Sequence, residues 1–303
     1  MSNLLQSKPD AECTDQPCSS IKQIIEPKEK DLGGFCVRRL FPAVGAKSVG
    51  PWVFFDHMGP ATFSPGDGVN VRPHPHIGIA TVTYVFEGEI LHRDSLGSYQ
   101  TITPGDINLM VAGKGIVHSE RERPEVTQLP HELNGLQLWM ALPIDSEEIE
   151  PEFHHYPSST IPTVTLNGIK VRVMMGSAYG VKSPVKTFAE TLYLECLLEP
   201  KDSLPMPKAE ELAVYVAKGA IEIDGVVVEE YSMAVLNPTE NLEIKSLNSS
   251  RVAIIGGENL GKRFMEWNFV SSSKERIEQA KRDWKEGRFP KVTGDEEEFI
   301  PLP

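Results

Sequence analysis

The chain has 303 residues, 40% hydrophobic and 24% charged, which is enough for two hydrophobic cores and too long for a small disulfide-stapled scaffold. Its 24 Gly and 24 Pro favour many short strands and argue against an all-helical bundle. A formal charge of −13, from 30 Lys plus Arg against 43 Asp plus Glu, opposes contact with a phosphate backbone and excludes a basic nucleic-acid-binding module.

Residues 1–20 read as a flexible polar leader: Leu4-Leu5 is followed by Lys8, Asp10, Glu12 and Asp15, so the apolar stretch of a secretory signal is lacking. No segment approaches the roughly eighteen apolar residues that span a bilayer, and Val252-Ala253-Ile254-Ile255 ends after one short strand. The expected compartment is the cytoplasm. Cys13 and Cys18 sit in the polar leader, whereas Cys36 and Cys196 stand among apolar residues and read as small core fillers. A zinc site on Cys13 and Cys18 would need a second ligand pair that the chain does not offer.

Residues 21–145 hold short β-branched and aromatic runs broken by Gly50-Pro51, Gly59-Pro60, Pro65-Gly66-Asp67-Gly68 and Pro104-Gly105-Asp106, the punctuation of an antiparallel sandwich or barrel. Acidic residues and proline from Asp145 to Pro151 predict a linker, and a second β domain over 146–270 follows, with Gly168-Ile169-Lys170-Val171-Arg172-Val173 as one of its strands. Residues 271–303 form a helix and tail. Ser272 and Glu275 have capping-box spacing, Ile277, Ala280 and Trp284 recur at helical period, and Gly287 and Pro290 stop the helix. Its apolar stripe predicts a docking face, and Asp295–Glu298 with Phe299-Ile300 a surface strap.

The two β segments look related. Val82-Thr83-Tyr84-Val85-Phe86-Glu87-Gly88-Glu89-Ile90 aligns without gaps against Ala213-Val214-Tyr215-Val216-Ala217-Lys218-Gly219-Ala220-Ile221, 131 residues apart. One nine-residue match is weak evidence unless the surrounding chemistry also registers.

The chemistry lies in His74-Pro75-His76 and His118-Ser119-Glu120. Residues two apart on a strand face the same way, so each triplet aims two side chains in one direction. Antiparallel pairing would bring three imidazoles and one carboxylate together, a donor set suited to a divalent transition metal, with open positions left for water, dioxygen or substrate. Iron, manganese, nickel, copper and zinc all remain open on softness and geometry. Pro73 and Pro75 cannot donate to a ladder and place the first pair on an edge or bulge. Gly113-Lys114-Gly115 predicts a tight turn delivering the second. The plainer reading, of strand histidines satisfied by backbone groups, holds for any single histidine but not as well for two same-face pairs. His57 reads as a turn-stabilising residue, the alternative being a neighbour of the site that hydrogen-bonds to Asp56, and His92, His131, His154 and His155 read as surface groups.

His74-Pro75-His76, Tyr84-Val85-Phe86-Glu87-Gly88, Pro104-Gly105-Asp106, Ala112-Gly113-Lys114-Gly115-Ile116-Val117-His118-Ser119-Glu120 and Gly135-Leu136-Gln137-Leu138-Trp139, in that order, resemble the pirin family of bicupins over nearly the whole chain after the leader. The resemblance implies an all-β fold of two cupin barrels with a short C-terminal helix. The N-terminal barrel would hold one non-haem iron, Fe(II), on His74, His76, His118 and Glu120. It also implies a monomer and a quercetin 2,3-dioxygenase-type oxidoreductase that opens a flavonol-like enol with dioxygen; on chemical grounds Glu120, if it loosens from the metal, is the catalytic group able to accept the substrate proton. Two departures stand out: Ala80 occupies the place where general cupins carry a glutamate, and Pro205 and Pro207 occupy the repeat positions of His74 and His76, so the C-terminal barrel is expected to lack metal. The rival reading is an iron-dependent, redox-sensitive regulatory protein acting on a partner enzyme or transcription factor; the acidic surface and the absence of a basic import cluster disfavour a nuclear role. A metal-free cupin acting on sugars or serving as storage would require all four ligands to be incidental.

Overall fold

The computed structural model describes residues 20–31 and 35–303; Cys13, Cys18 and the rest of the leader up to residue 19 lie outside them. The fold is all-β, in two barrels, with one twelve-residue helix at Lys274–Lys285. No helix among the described residues is long and apolar enough to cross a membrane.

Each barrel pairs a seven-stranded sheet with a four-stranded one. The first large sheet runs Glu152–Tyr156, Ile107–Val111, Ile79–Glu87, His131–Ala141, Trp52–Phe63, Cys36–Phe41, Lys28–Asp31. The second runs Ile21–Ile25, Met233–Leu236, Glu211–Lys218, Ser250–Gly257, Thr191–Leu198, Ile169–Met175, Thr163–Leu166. Apart from the outermost strand, the two orders are the same permutation of the chain. So are the small sheets, Asn70–His76, Ile116–Arg121, Ile90–Asp94, Tyr99–Ile102 and Ser203–Pro205, Glu243–Ser246, Ile221–Ile223, Val226–Val228. The nine-residue match is therefore the visible part of a complete structural repeat. The outermost strands break the symmetry: Ile21–Ile25 precedes the first barrel in sequence yet pairs with Met233–Leu236 of the second, while Glu152–Tyr156 completes the first sheet.

The two large sheets pack face to face. Strand alternation sends Ala80, Val82 and Tyr84 into a shared core with Ala213, Tyr215 and Ala217, and sends Val214 and Val216 into the second barrel's own interior. Two polar side chains inside this interface are well partnered: the Trp52 indole donates to the carbonyls of Leu192 and Gly256, each at 3.1 Å, and the Tyr84 hydroxyl donates to Glu195 at 2.7 Å while accepting from Arg172 at 2.9 Å. His57 belongs here and not in a turn. It is fully buried on Trp52–Phe63, 2.5 Å from the Tyr215 hydroxyl and 2.7 Å from Asn134.

Three further local expectations shift. Helix capping falls to Ser273, whose hydroxyl accepts from the Arg276 amide at 3.3 Å, because Ser272 is taken by Glu147: its hydroxyl donates at 2.6 Å and its amide at 2.9 Å. That same buried Glu147 ties down the predicted linker, and Ile149 receives the Lys114 amide at 2.9 Å. The segment thus braces the Gly113-Lys114-Gly115 turn, where a Cβ on Gly113 (φ +49) would lie 2.0 Å from the Ile149 oxygen. Cys36 is exposed, since it starts a strand near the edge of its sheet, whereas Cys196 is buried as expected.

A candidate metal centre

His74 and His76 stand on Asn70–His76, the edge strand of the first small sheet, where prolines that cannot donate are tolerated. The neighbouring strand, Ile116–Arg121, places His118 directly opposite His74. Ring centroids are 5.0 Å apart for His74 and His76, 4.4 Å for His74 and His118, and 5.0 Å for His76 and His118. Their ligand-capable nitrogens all lie within 4.8 Å of one another, and among the described residues this is the one cluster of three or more His, Cys, Asp or Glu able to surround an ion.

The imidazoles are neutral at pH 7. Burial, the largest cause, lowers the His74 pKa to about 4; burial and then the neighbouring rings hold His76 and His118 well below the ordinary value. His74 Nδ1 lies 2.8 Å from the Arg72 carbonyl and His76 Nδ1 3.2 Å from that of Asn268. A carbonyl only accepts, so each Nδ1 carries the proton and each Nε2 keeps a lone pair. His76 Nε2 and both His118 nitrogens are buried with no partner. Buried polar atoms are rarely left so, and a cation at their centre would satisfy them: the residues fit a transition metal.

Glu120 follows on the same strand, after a register shift between His118 and Glu120. It lines the same cavity as His74 and His76 but is not part of the three-histidine cluster. Its Oε1 accepts from the Gln137 amide at 3.2 Å, and Gln137 in turn accepts from the Thr83 hydroxyl at 2.8 Å. Burial raises its pKa to about 7, against the pull of those hydrogen bonds. Ala80, at the general cupin glutamate's place, faces the inter-sheet core.

The cavity has a volume of about 540 Å³, within the usual range for a small-molecule site. Phe54, Met58, Val71 and Ile90 make its apolar wall; Arg39, paired with Asp56 through two bonds of 2.8 and 2.7 Å, and Gln137 supply polarity. Trp139 stacks on Phe54 at 3.9 Å and meets His76 edge-on at 4.8 Å, its buried indole nitrogen without a partner. Trp267, Asn268 and Ile300 form the roof. The predicted strap holds that roof in place: the Ile300 amide donates to the Pro73 carbonyl at 2.9 Å, the Trp284 indole to Ile300 at 3.0 Å, and Arg121 pairs with Asp295 at 2.6 Å.

Sequence reasoning gave Gln137, Trp139, Asn268 and His92 no role. Gln137 had a signal, as a polar residue alternating with Leu136 and Leu138 on a buried strand. Contrary to its reading as a surface group, His92 is buried: it lies opposite Glu120, 3.0 Å from Asp94, its ring 5.3 Å from His118 and stacked on Phe153 at 4.4 Å. His131, His154 and His155 are half-exposed. In the second barrel Pro205 stands opposite Glu243, and the interior is apolar, filled by Leu194, Val214, Ile221, Ile244 and Ile254 among others.

Comparison with known proteins gives two family models, Pirin over residues 34–140 and Pirin C-terminal cupin domain over residues 193–290. A pirin-like protein of Caulobacter vibrioides is 47% identical, the match covering 93% of this chain and 99% of that one. A solved quercetin 2,3-dioxygenase of Acinetobacter baumannii superposes with a TM-score of 0.86 at 31% identity, over 93% and 94% of the two chains. A bacterial pirin of Escherichia coli, solved with nickel(II), shares the fold with a TM-score of 0.61 at 17% identity, over 78% and 99%.

Proposed function

Because the chain belongs to the pirin family of paired cupin barrels, we propose that it is a metal-dependent dioxygenase of flavonol-like enols, with Fe(II) as the native ion held by His74, His76, His118 and Glu120. The observation that carries the reading is the convergence of three neutral imidazoles, with His76 Nε2 and both His118 nitrogens partnerless, beside a cavity of about 540 Å³ whose wall includes His74 and His76.

A divalent iron bound there would supply a Lewis-acidic, redox-active centre for an enol oxygen and for dioxygen. The protein's own contribution is orientation and exclusion. Phe54, Met58, Val71 and Ile90 offer apolar area to a flat aromatic substrate, and the Trp139 N–H offers a donor that nothing in the protein uses. The Glu120 carboxylate, oriented by Gln137, is the acceptor for the enol proton. Trp267, Asn268 and Ile300 keep bulk water from the reacting face.

The test is a metal inventory of protein from its native host, followed by oxygen uptake with a flavonol panel on anaerobically iron-loaded protein. Stoichiometric metal with coupled loss of oxygen and flavonol is expected. Loaded protein that consumes no oxygen with any enol would sink the dioxygenase reading.

A further inference from the structure

A second cavity, of about 880 Å³, opens where the segment Leu260–Glu266 and the start of the C-terminal helix meet the first barrel. Pro42 and Met265 belong to its wall and also to that of the histidine cavity, but its chemistry is different. Lys47, Lys262, Arg263 and Lys274 line it, and among the described residues none of them has a carboxylate within ion-pair distance. The acids on the same wall, Glu266 and Glu278, both pair with Lys281, at 2.5 and 3.0 Å. Arg263 is fixed by backbone carbonyls alone, Leu260 at 2.8 Å, Lys262 at 3.2 Å and Leu142 at 3.2 Å, and its Nε is buried with no partner.

The Lys262 and Lys274 ammonium groups both lie against one ring, 4.8 and 5.2 Å from the centroid of Phe264, which gathers two positive charges at one side chain. Lys274 is also the first residue of its helix, directly after the cap Ser273, where the helix dipole disfavours a cation. Four cations in one concave site, against two carboxylates already shared with Lys281, on a protein of charge −13, are what recognition of an anion requires. We propose that this cavity binds a small polyanion, a molecule carrying clustered phosphate or carboxylate groups, independently of the histidine site.

The experiment titrates the full chain calorimetrically at low ionic strength with inorganic pyrophosphate and, separately, with citrate, alongside thermal melts. Saturable one-to-one binding of either probe is expected, with the tighter one telling phosphate from carboxylate preference. K262E/K274E and the milder K262Q/K274Q should each weaken it by about tenfold or more, while H118L, which alters only the three-histidine cluster, should leave it unchanged. K274E should melt higher than the parent without anion yet lose the anion-induced rise in Tm. Saturation absent up to about 10 mM of both probes, or equal affinity in the parent and both double variants, would overturn the proposal.

Discussion

Replacing His118 by leucine separates what the histidine cluster does for metal binding from what it costs the fold. The side chain is about 1% exposed and neither ring nitrogen has a hydrogen-bond partner, so the substitution breaks no hydrogen bond in the metal-free protein. It removes polar atoms whose unsatisfied burial costs about 1–3 kcal/mol, and leucine fills a similar volume. Metal-free H118L should therefore be more stable than metal-free parent by about 1–3 kcal/mol, or roughly 2–12 °C in Tm at about 2–4 °C per kcal/mol. The order should reverse with metal. At free ion 100-fold above its dissociation constant the parent gains about 2.7 kcal/mol, a gain that H118L, with one ligand fewer, should largely lose. The assay is differential scanning calorimetry of both proteins after chelation and again with Fe(II) or Ni(II) under anaerobic conditions. If metal-free H118L were destabilised by more than about 1 kcal/mol and still showed the parent's metal-induced rise, the reasoning from orphaned nitrogens would be refuted.

Gln137→Leu removes the amide that orients Glu120 and should lower turnover, or metal affinity, by about 10–100-fold; unchanged values of both would argue against a role for that hydrogen bond. Trp52→Phe deletes the N–H shared between the Leu192 and Gly256 carbonyls and should cost about 1–3 kcal/mol, read as a shift in urea midpoint at constant slope. Burial lowers the His57 pKa from 6.5 to about 4, so below pH 6.5 the unfolded chain takes up the proton first. Stability should fall between pH 6.5 and 4, by up to about 3 kcal/mol from this residue, with nothing lost above pH 6.5. H57Q should show a shallower acid limb in pH-dependent denaturation, and identical limbs would remove His57 from the account.

The three histidines were legible because strand alternation is a local rule: two residues apart on one edge strand is enough to aim His74 and His76 together, and proline marks the edge. The repeat was legible wherever both barrels kept a strand running into a glycine turn. What stayed hidden depends on partners distant in sequence. The burial of His92 comes from Phe153 on an added strand, and the local sequence around it, rich in charge, points the other way. Ser272 lost the cap to Ser273 only because Glu147 claims it. Asn268 reaches His76 through its backbone carbonyl, a contact that no side-chain pattern announces. The polar lining of one barrel against the apolar filling of the other became apparent only once the inward faces were assigned.

The strand Ile21–Ile25, paired with Met233–Leu236, also sets a timetable for synthesis. A chain emerging from the ribosome presents this strand first, yet its partner is among the last strands made. At about 5–20 residues per second the wait is roughly ten to forty seconds. The first barrel can close around its histidines in that interval, but the second cannot complete its large sheet until almost the whole protein exists. A nascent chain stalled midway would carry His74, His76 and His118 in a first barrel that still lacks Asn268 and Ile300, trailing a strand that has yet to meet its partner, so ribosome-bound intermediates should remain open to proteolysis at residues 21–25 until Met233–Leu236 has been made.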